Sequence, residues 1–185
     1  MIAPNLSKAR GEKEVFGNLL MAVSLSAGAP QCSADQAVYA LRGAPGVTAG
    51  FARQKYQINF ASNLFFWMET EGRRRWFSLN APNGYGGAYL TPDRDPATIS
   101  EAELDADKPQ AAEEPPQVDF DMFDLNYDVI DNVPQSGSAA PAHLYLRSLG
   151  PLLWYNPVAA ANGDASAEAV AIPIAMYDLK RCKKR

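Results

Sequence analysis

The chain has 185 residues, 47% of them hydrophobic and 21% charged, which is the composition of a folded globular protein and excludes disorder throughout. Apolar runs are short, as in Leu64–Met68, far below the roughly twenty residues that cross a bilayer. Two cysteines and one histidine are too few soft ligands for a zinc centre, and no cofactor motif is present. The formal net charge of −4 conceals a segregation along the chain. Residues 92–131 hold thirteen acidic and two basic residues, leaving eight acidic and fifteen basic elsewhere. Opposite potentials of this kind steer encounter with charged partners or with a second copy of the chain.

At the N-terminus, Lys8, Arg10 and Lys13 precede Val15–Leu25 in the outline of a secretory signal. Glu12 and Glu14 interrupt the basic part and Gly17 and Asn18 dilute the apolar part, so no cleaved signal is expected; Cys32 and Cys182 read as two buried or idle thiols in preference to a disulfide tying the two ends, and a cytoplasmic location is expected. Phe16, Leu19, Leu20 and Val23 fall at i, i+3, i+4 and i+7 and predict a first helix over 13–26. Ser33-Ala34-Asp35-Gln36 has the form of a capping box, with Gly43 and Pro45 as stop signals, and predicts a second helix from Ala34 to Arg42.

The period then shifts to 2. Tyr56, Ile58 and Phe60 alternate with polar residues, and Leu64–Thr70 and Arg73–Leu79 read as a hairpin turning at Glu71-Gly72, with Trp67 opposite Trp76. Ala88–Thr91 reads as a short strand stopped by Pro92, after the turn-rich Pro82–Gly87. A capping box at Ser100–Glu103 precedes 105–117, whose Asp, Glu, Pro, Ala and Gln have nothing to bury, and 134–141 is a second linker. His143–Arg147, Leu152–Val158 and Ala169–Leu179 read as three further strands, with Pro173 placing the last at an edge. The expected fold class is α+β, mainly β: an N-terminal helix pair (1–45), a β meander (46–92), an acidic Pro-rich insertion (93–141), C-terminal strands of the same domain (142–179) and a loose basic tail (180–185).

Between the linkers, Val118–Asp131 satisfies two periods. As a strand, Val118, Phe120 and Met122 oppose Asp119 and Asp121; as a helix, Phe120, Phe123, Tyr127 and Ile130 form one stripe and Asp121, Asp124, Asp128 and Asp131 the next. Such a segment either packs its aromatics on the protein's own sheet or docks on a basic partner, with Asp119, Asp121, Asp124, Asp128 and Asp131 supplying charge and Phe120, Phe123 and Tyr127 apolar anchors. The basic counterparts are Arg73 and Arg75, which share a strand face, and Lys180, Arg181, Lys183, Lys184 and Arg185 at the C-terminus. Beside Trp76 and Phe77 the arginines also offer a weak nucleic-acid surface, or merely a protected edge.

His143 is the sole histidine, so any His-based nucleophile scheme runs through it. Gly86-Gly87-Ala88-Tyr89-Leu90-Thr91-Pro92-Asp93 resembles a stretch of ADP-ribosyltransferase-type toxins that borders a nicotinamide dinucleotide pocket. That resemblance implies a role for Arg42 in binding the dinucleotide and for Glu168 in orienting its ribose. Against it stand the absence of a Ser-Thr-Ser element and the long acidic insertion. The favoured expectation is a non-enzymatic interaction or assembly protein, with no cofactor or metal. It would be a subunit of a virion or other multi-protein assembly, or an inhibitor, that docks on a protein with a basic surface or on copies of itself and touches no membrane.

Overall fold

The computed structural model describes residues 32–56, 61–82, 86–100 and 115–184. Among these residues nine strands form one antiparallel sheet: β1 (Ala37–Leu41), β2 (Ala44–Arg53), β3 (Leu64–Thr70), β4 (Arg73–Asn80), β5 (Tyr89–Asp93), β6 (Val118–Asp119), β7 (Asp121–Phe123), β8 (His143–Tyr145) and β9 (Met176–Cys182). Their order is β6-β5-β4-β3-β2-β1-β9-β8-β7. The two outermost strands are therefore consecutive in the chain, separated by Phe120 alone. β6 pairs with β5 through Leu90↔Val118 and Tyr89↔Asp119, the Phe120 amide donates to the Ala88 carbonyl at 3.0 Å, and β7 then pairs with β8. One segment thus joins both edges and curls the sheet into a nearly closed barrel, which removes the unpaired edges that an open sheet exposes.

The interior is aromatic. Phe51 meets Tyr39, Phe66 and Phe120 edge-on at ring separations of 5.9, 5.8 and 6.3 Å, and Phe66 also packs on Phe77 and Phe120. Tyr39 Oη donates to the Pro141 carbonyl at 2.9 Å, so its one polar atom is satisfied in the core, and burial raises its pKa. The helix α1 (Leu149–Tyr155) and the single turn α2 (Pro157–Ala160) add Leu149, Leu152, Leu153 and Ala160 to this core. Ser148 Oγ accepts from the Asp119 amide, fastening the start of α1 to the closing segment.

The expected helix pair is absent from the described residues, and the fold is mainly β. The first helix, over 13–26, falls outside them. The second is overturned: Ala34–Gln36 makes only a 3-10 turn and Ala37–Leu41 is the strand β1. β1 lies between β2 and β9 and is buried on both faces, so it lacks the alternation that marks a half-wet strand, and its apolar run fits a helical stripe equally well. β2 was hidden by Pro45, Gly46 and Gly50. At Gly50 an added Cβ would meet the Ala37 carbonyl at 2.6 Å and the Trp67 ring at 2.7 Å, so that glycine permits close packing. Leu152–Val158 is helical because Leu149, Leu152 and Leu153 bury one face, and Pro151, in the first turn, forfeits no bond. Pro92 does not end β5; it pairs opposite Phe77 inside the strand. The alternation expected over Tyr56, Ile58 and Phe60 falls mostly on 57–60, outside the described residues; Tyr56 itself lies past the end of β2 and in no strand. The 64–70/73–80 hairpin is as expected, with Glu71 and Gly72 at positive φ (53° and 73°) and Trp67 opposite Trp76.

Cys32 and Cys182 form a disulfide between positions 150 residues apart, with Cα atoms 5.9 Å apart. It seals β9 to the start of the described chain, and β9 carries Lys180 and Arg181 within it, where a loose tail was expected. Phe120→Ala should lower unfolding free energy in urea by about 3–5 kcal/mol, since it empties the site where the barrel closes. The double variant Cys32→Ser/Cys182→Ser should lose roughly 2–4 kcal/mol, and a reductant should destabilise the natural chain to the same degree while leaving the double variant unchanged.

Candidate docking site

Beyond β7 the acidic segment turns back on itself. Asp124 Oδ1 accepts from the amides of Asn126 (2.7 Å) and Asp128 (3.0 Å), the Asp124 amide donates to the Asp128 carbonyl, and the Ile130 amide donates to the Met122 carbonyl at 2.9 Å. This is a short hairpin whose turn is built by an aspartate side chain acting on its own backbone. At its tip Tyr127 sits at φ 64°, a left-handed conformation that an aromatic residue adopts at a cost. Tertiary contacts offset it. The Tyr127 ring stacks on His143 with centroids 4.4 Å apart and planes 3° from parallel, and its hydroxyl accepts from Arg42 Nη2 at 3.3 Å.

Beneath the stack lies a polar cluster drawn from three adjacent strands. Asp178, on the outward face of β9, accepts from Arg42 Nε (3.0 Å) and Nη2 (2.8 Å), and its Oδ1 lies 2.7 Å from His143 Nδ1. Register explains the convergence: Asp178 pairs with Ala40 on one side and with His143 on the other, and Arg42 follows the end of β1. The Arg42 hydrogen bonds hold the Asp178 carboxyl below its ordinary pKa, burial opposes them, and the His143 bond assists. An ionised carboxylate only accepts, so His143 Nδ1 carries the proton of that contact. The His143–Asp178 hydrogen bond has the geometry of the His–Asp pair in a catalytic triad. Among the described residues no serine or cysteine completes it, and the stacked Tyr127 covers one ring face. The cluster acts as a clamp that holds the hairpin tip against the barrel wall.

The hairpin presents an apolar tip in an acidic frame. Leu125, Tyr127 and Val129 are 54%, 51% and 65% exposed. Asp119, Asp128 and Asp131 are exposed and Asp121 and Asp124 partly so, and among the described residues none of the five is in ion-pair contact with a cation. Of the expected anchors, Phe120 is committed to the core, Phe123 is half-buried opposite His143, and Tyr127 is at the surface. Leu125 and Val129 were missed, although both lie within the flagged segment; they fall on neither of the two stripes.

The expected basic contacts are scattered. Arg73 is exposed, whereas Arg75, which shares its strand face, is buried. Lys180 and Arg181 are exposed on β9, Lys184 is exposed after it, and Arg185 lies outside the described residues. Lys183 donates to the Phe51 carbonyl and lies 5.1 Å from the centre of the Trp67 ring. Arg74, between these expected residues, pairs with Glu69 and covers Trp67. The toxin-like stretch is strand β5 in its Tyr89–Asp93 part. Arg42 is engaged by Asp178 and Tyr127, and Glu168 is exposed in the loop between α2 and β9.

Among the described residues no three His, Cys, Asp or Glu side chains converge to hold a metal, and no helix is long and apolar enough to cross a membrane. Searches against family models, curated proteins and solved structures return no match for this chain.

Because the folded pKa of Asp178 is depressed, its stabilising contribution is complete above the unfolded carboxylate value near 3.9 and is lost as pH falls through the folded value. Asp178→Asn should therefore flatten the fall in unfolding free energy between about pH 5 and pH 2, measured by urea titration at each pH.

Proposed function

We propose that this chain is a binding protein whose acidic hairpin, 119–131, docks on a basic surface of another protein. One observation carries the reading: three large apolar side chains stand more than half exposed on a turn that also carries Asp124, Asp128 and Asp131 and follows Asp119 and Asp121 on the closing strands, and none of these five aspartates has a cation partner among the described residues. Such a tip has the two parts an interface needs. Apolar side chains lose water at the centre, and unneutralised charge at the rim speeds encounter and rejects partners of the wrong sign. The Tyr127–His143 stack and the Arg42 hydrogen bond support this reading further, because a turn already held in place loses less entropy on docking.

The same charges suit a partner whose groove otherwise accepts a polyanion, which keeps the inhibitor and the assembly subunit as two forms of one activity. The Cys32–Cys182 disulfide favours an oxidising compartment as the place of action, in contrast to the cytoplasmic location expected from the sequence.

The test uses a partner captured from the host and its affinity for the purified chain. Asp121→Asn/Asp124→Asn/Asp128→Asn should weaken binding at least tenfold at low salt and much less at high salt. The asparagine at 124 can still accept the two turn amides, so the hairpin is retained. Leu125→Ser/Val129→Ser should weaken binding at both salts. Unchanged affinity in both variants would refute the proposal. If chromatography instead shows a larger species that dissolves to monomer at high salt, the basic partner is a second copy of the chain.

A further inference from the structure

The closing segment answers both edges of the nine-strand sheet, but the hairpin that follows it lays down a new one. The Ile130 amide donates to the Met122 carbonyl and the Asp124 amide to the Asp128 carbonyl. These two bonds flank the Phe123–Val129 bridge, so Phe123 and Val129 face each other as a pair that exchanges no hydrogen bonds of its own. The N–H and C=O of Val129 therefore point away from β7. Among the described residues neither group has a hydrogen-bond partner, nor do the main-chain groups of Asp131, and both residues are exposed. The returning arm of the hairpin thus carries a short open strand edge.

That edge opens on a cleft of about 360 Å³, with Val129–Asp131 on one side, Gly86–Ala88 on the other and Phe120–Met122 between them. Gly87 is a second, independent sign. Its φ is not left-handed and an added Cβ would meet nothing within 4 Å, so the fold itself does not require glycine there. A bare backbone in the wall of a cleft suits close approach by another backbone.

We infer that this edge receives one extended strand of a partner protein, added beside Val129 through main-chain hydrogen bonds and carrying lysine or arginine at alternate positions. The inference rests on the docking reading above and specifies the form of the partner's segment. Charge sets its class: Asp121 and Asp131 line the cleft, Asp128 precedes Val129, and no cation is among the lining residues. Pairing two copies of this edge would bring Asp128 and Asp131 against their own counterparts, which like-charge repulsion disfavours. The chain's own Lys180 and Arg181 are committed to β9, so the strand comes from a different protein.

The probe is an acetylated, amidated heptapeptide of alternating lysine and valine, titrated into the natural chain labelled with nitrogen-15. It should shift the Val129 and Asp131 amides and slow exchange of the Val129 amide at least tenfold, and its counterpart with glutamate for lysine should bind at least tenfold more weakly. N-methylation of every second peptide nitrogen should abolish binding in one phase and be tolerated in the other, because alternate residues of a strand bond to the same neighbour. Gly87→Val should keep the Tm of the natural chain and weaken peptide binding at least tenfold. No binding, an unprotected Val129 amide, equal effects of the two methylation phases, or full affinity in Gly87→Val would each overturn strand addition. The docking reading itself is judged separately, by the side-chain variants against the captured partner, and stands if those weaken binding while the peptide fails.

Discussion

Nine strands laid side by side leave two edges, each a row of unsatisfied amides and carbonyls, and here one stretch of six residues, 118–123, answers both. Its first half pairs with β5 and its second with β8, and the change of partner falls at Phe120, whose ring enters the aromatic interior between Phe51 and Phe66. Much else hangs on that exchange. It fixes β7 against β8, which sets Phe123 opposite His143 and delivers the following turn to the face where Tyr127 stacks. Through Asp119 and Ser148 it also anchors the start of the helix that supplies Leu149, Leu152 and Leu153 to the core. Hydrogen-bond closure and apolar burial therefore select the same register, and a slip by one residue would turn Phe120 outward and an aspartate inward.

The charge segregation seen along the chain takes a different form in space. The described part of the acidic stretch divides between the closing segment, whose outward positions are Asp119 and Asp121, and the hairpin beyond it. The basic residues do not gather into an opposing patch. Arg74 is balanced by Glu69 and lies over Trp67, Lys183 approaches the same ring, Arg42 is held by Asp178, and Arg75 is inside. Partial burial, and Arg74 and Arg181 beside it, lower the pKa of Lys183. Most of these cations have partners within the protein; among the described residues none of the hairpin aspartates pairs with a cation.

How much was legible in the sequence follows from what each element buries. The β3–β4 hairpin was readable because its turn signal, Glu71-Gly72, and the alternation along β4 agree. β1 was not, because a strand buried on both faces carries no period-2 signature and its neighbours Ser33 and Gln36 supply a false capping box. α1 was misread as a strand since Gly150-Pro151 resembles a break, though proline is at home in a first helical turn. In the site, the acidic aromatic segment stood out by composition, and its burial at Phe120 was one of the two readings that the pattern allowed. The Arg42–Asp178–His143 cluster was invisible, because it is assembled by strand register across 136 and 35 residues of separation and has no local spacing to detect. The buried state of Arg75 was hidden for a related reason: three arginines in a row look like a solvated run, and only the inward pleat singles out the third.

The covalent bond between Cys32 and Cys182 also governs how the barrel would bear a mechanical load. Tension entering the chain at one of these residues and leaving at the other passes across a single bridge between Cα atoms 5.9 Å apart, while the 149 intervening residues, with every strand of the sheet, remain slack. A protein wired in this way can be pulled between those two points without its barrel being peeled apart strand by strand.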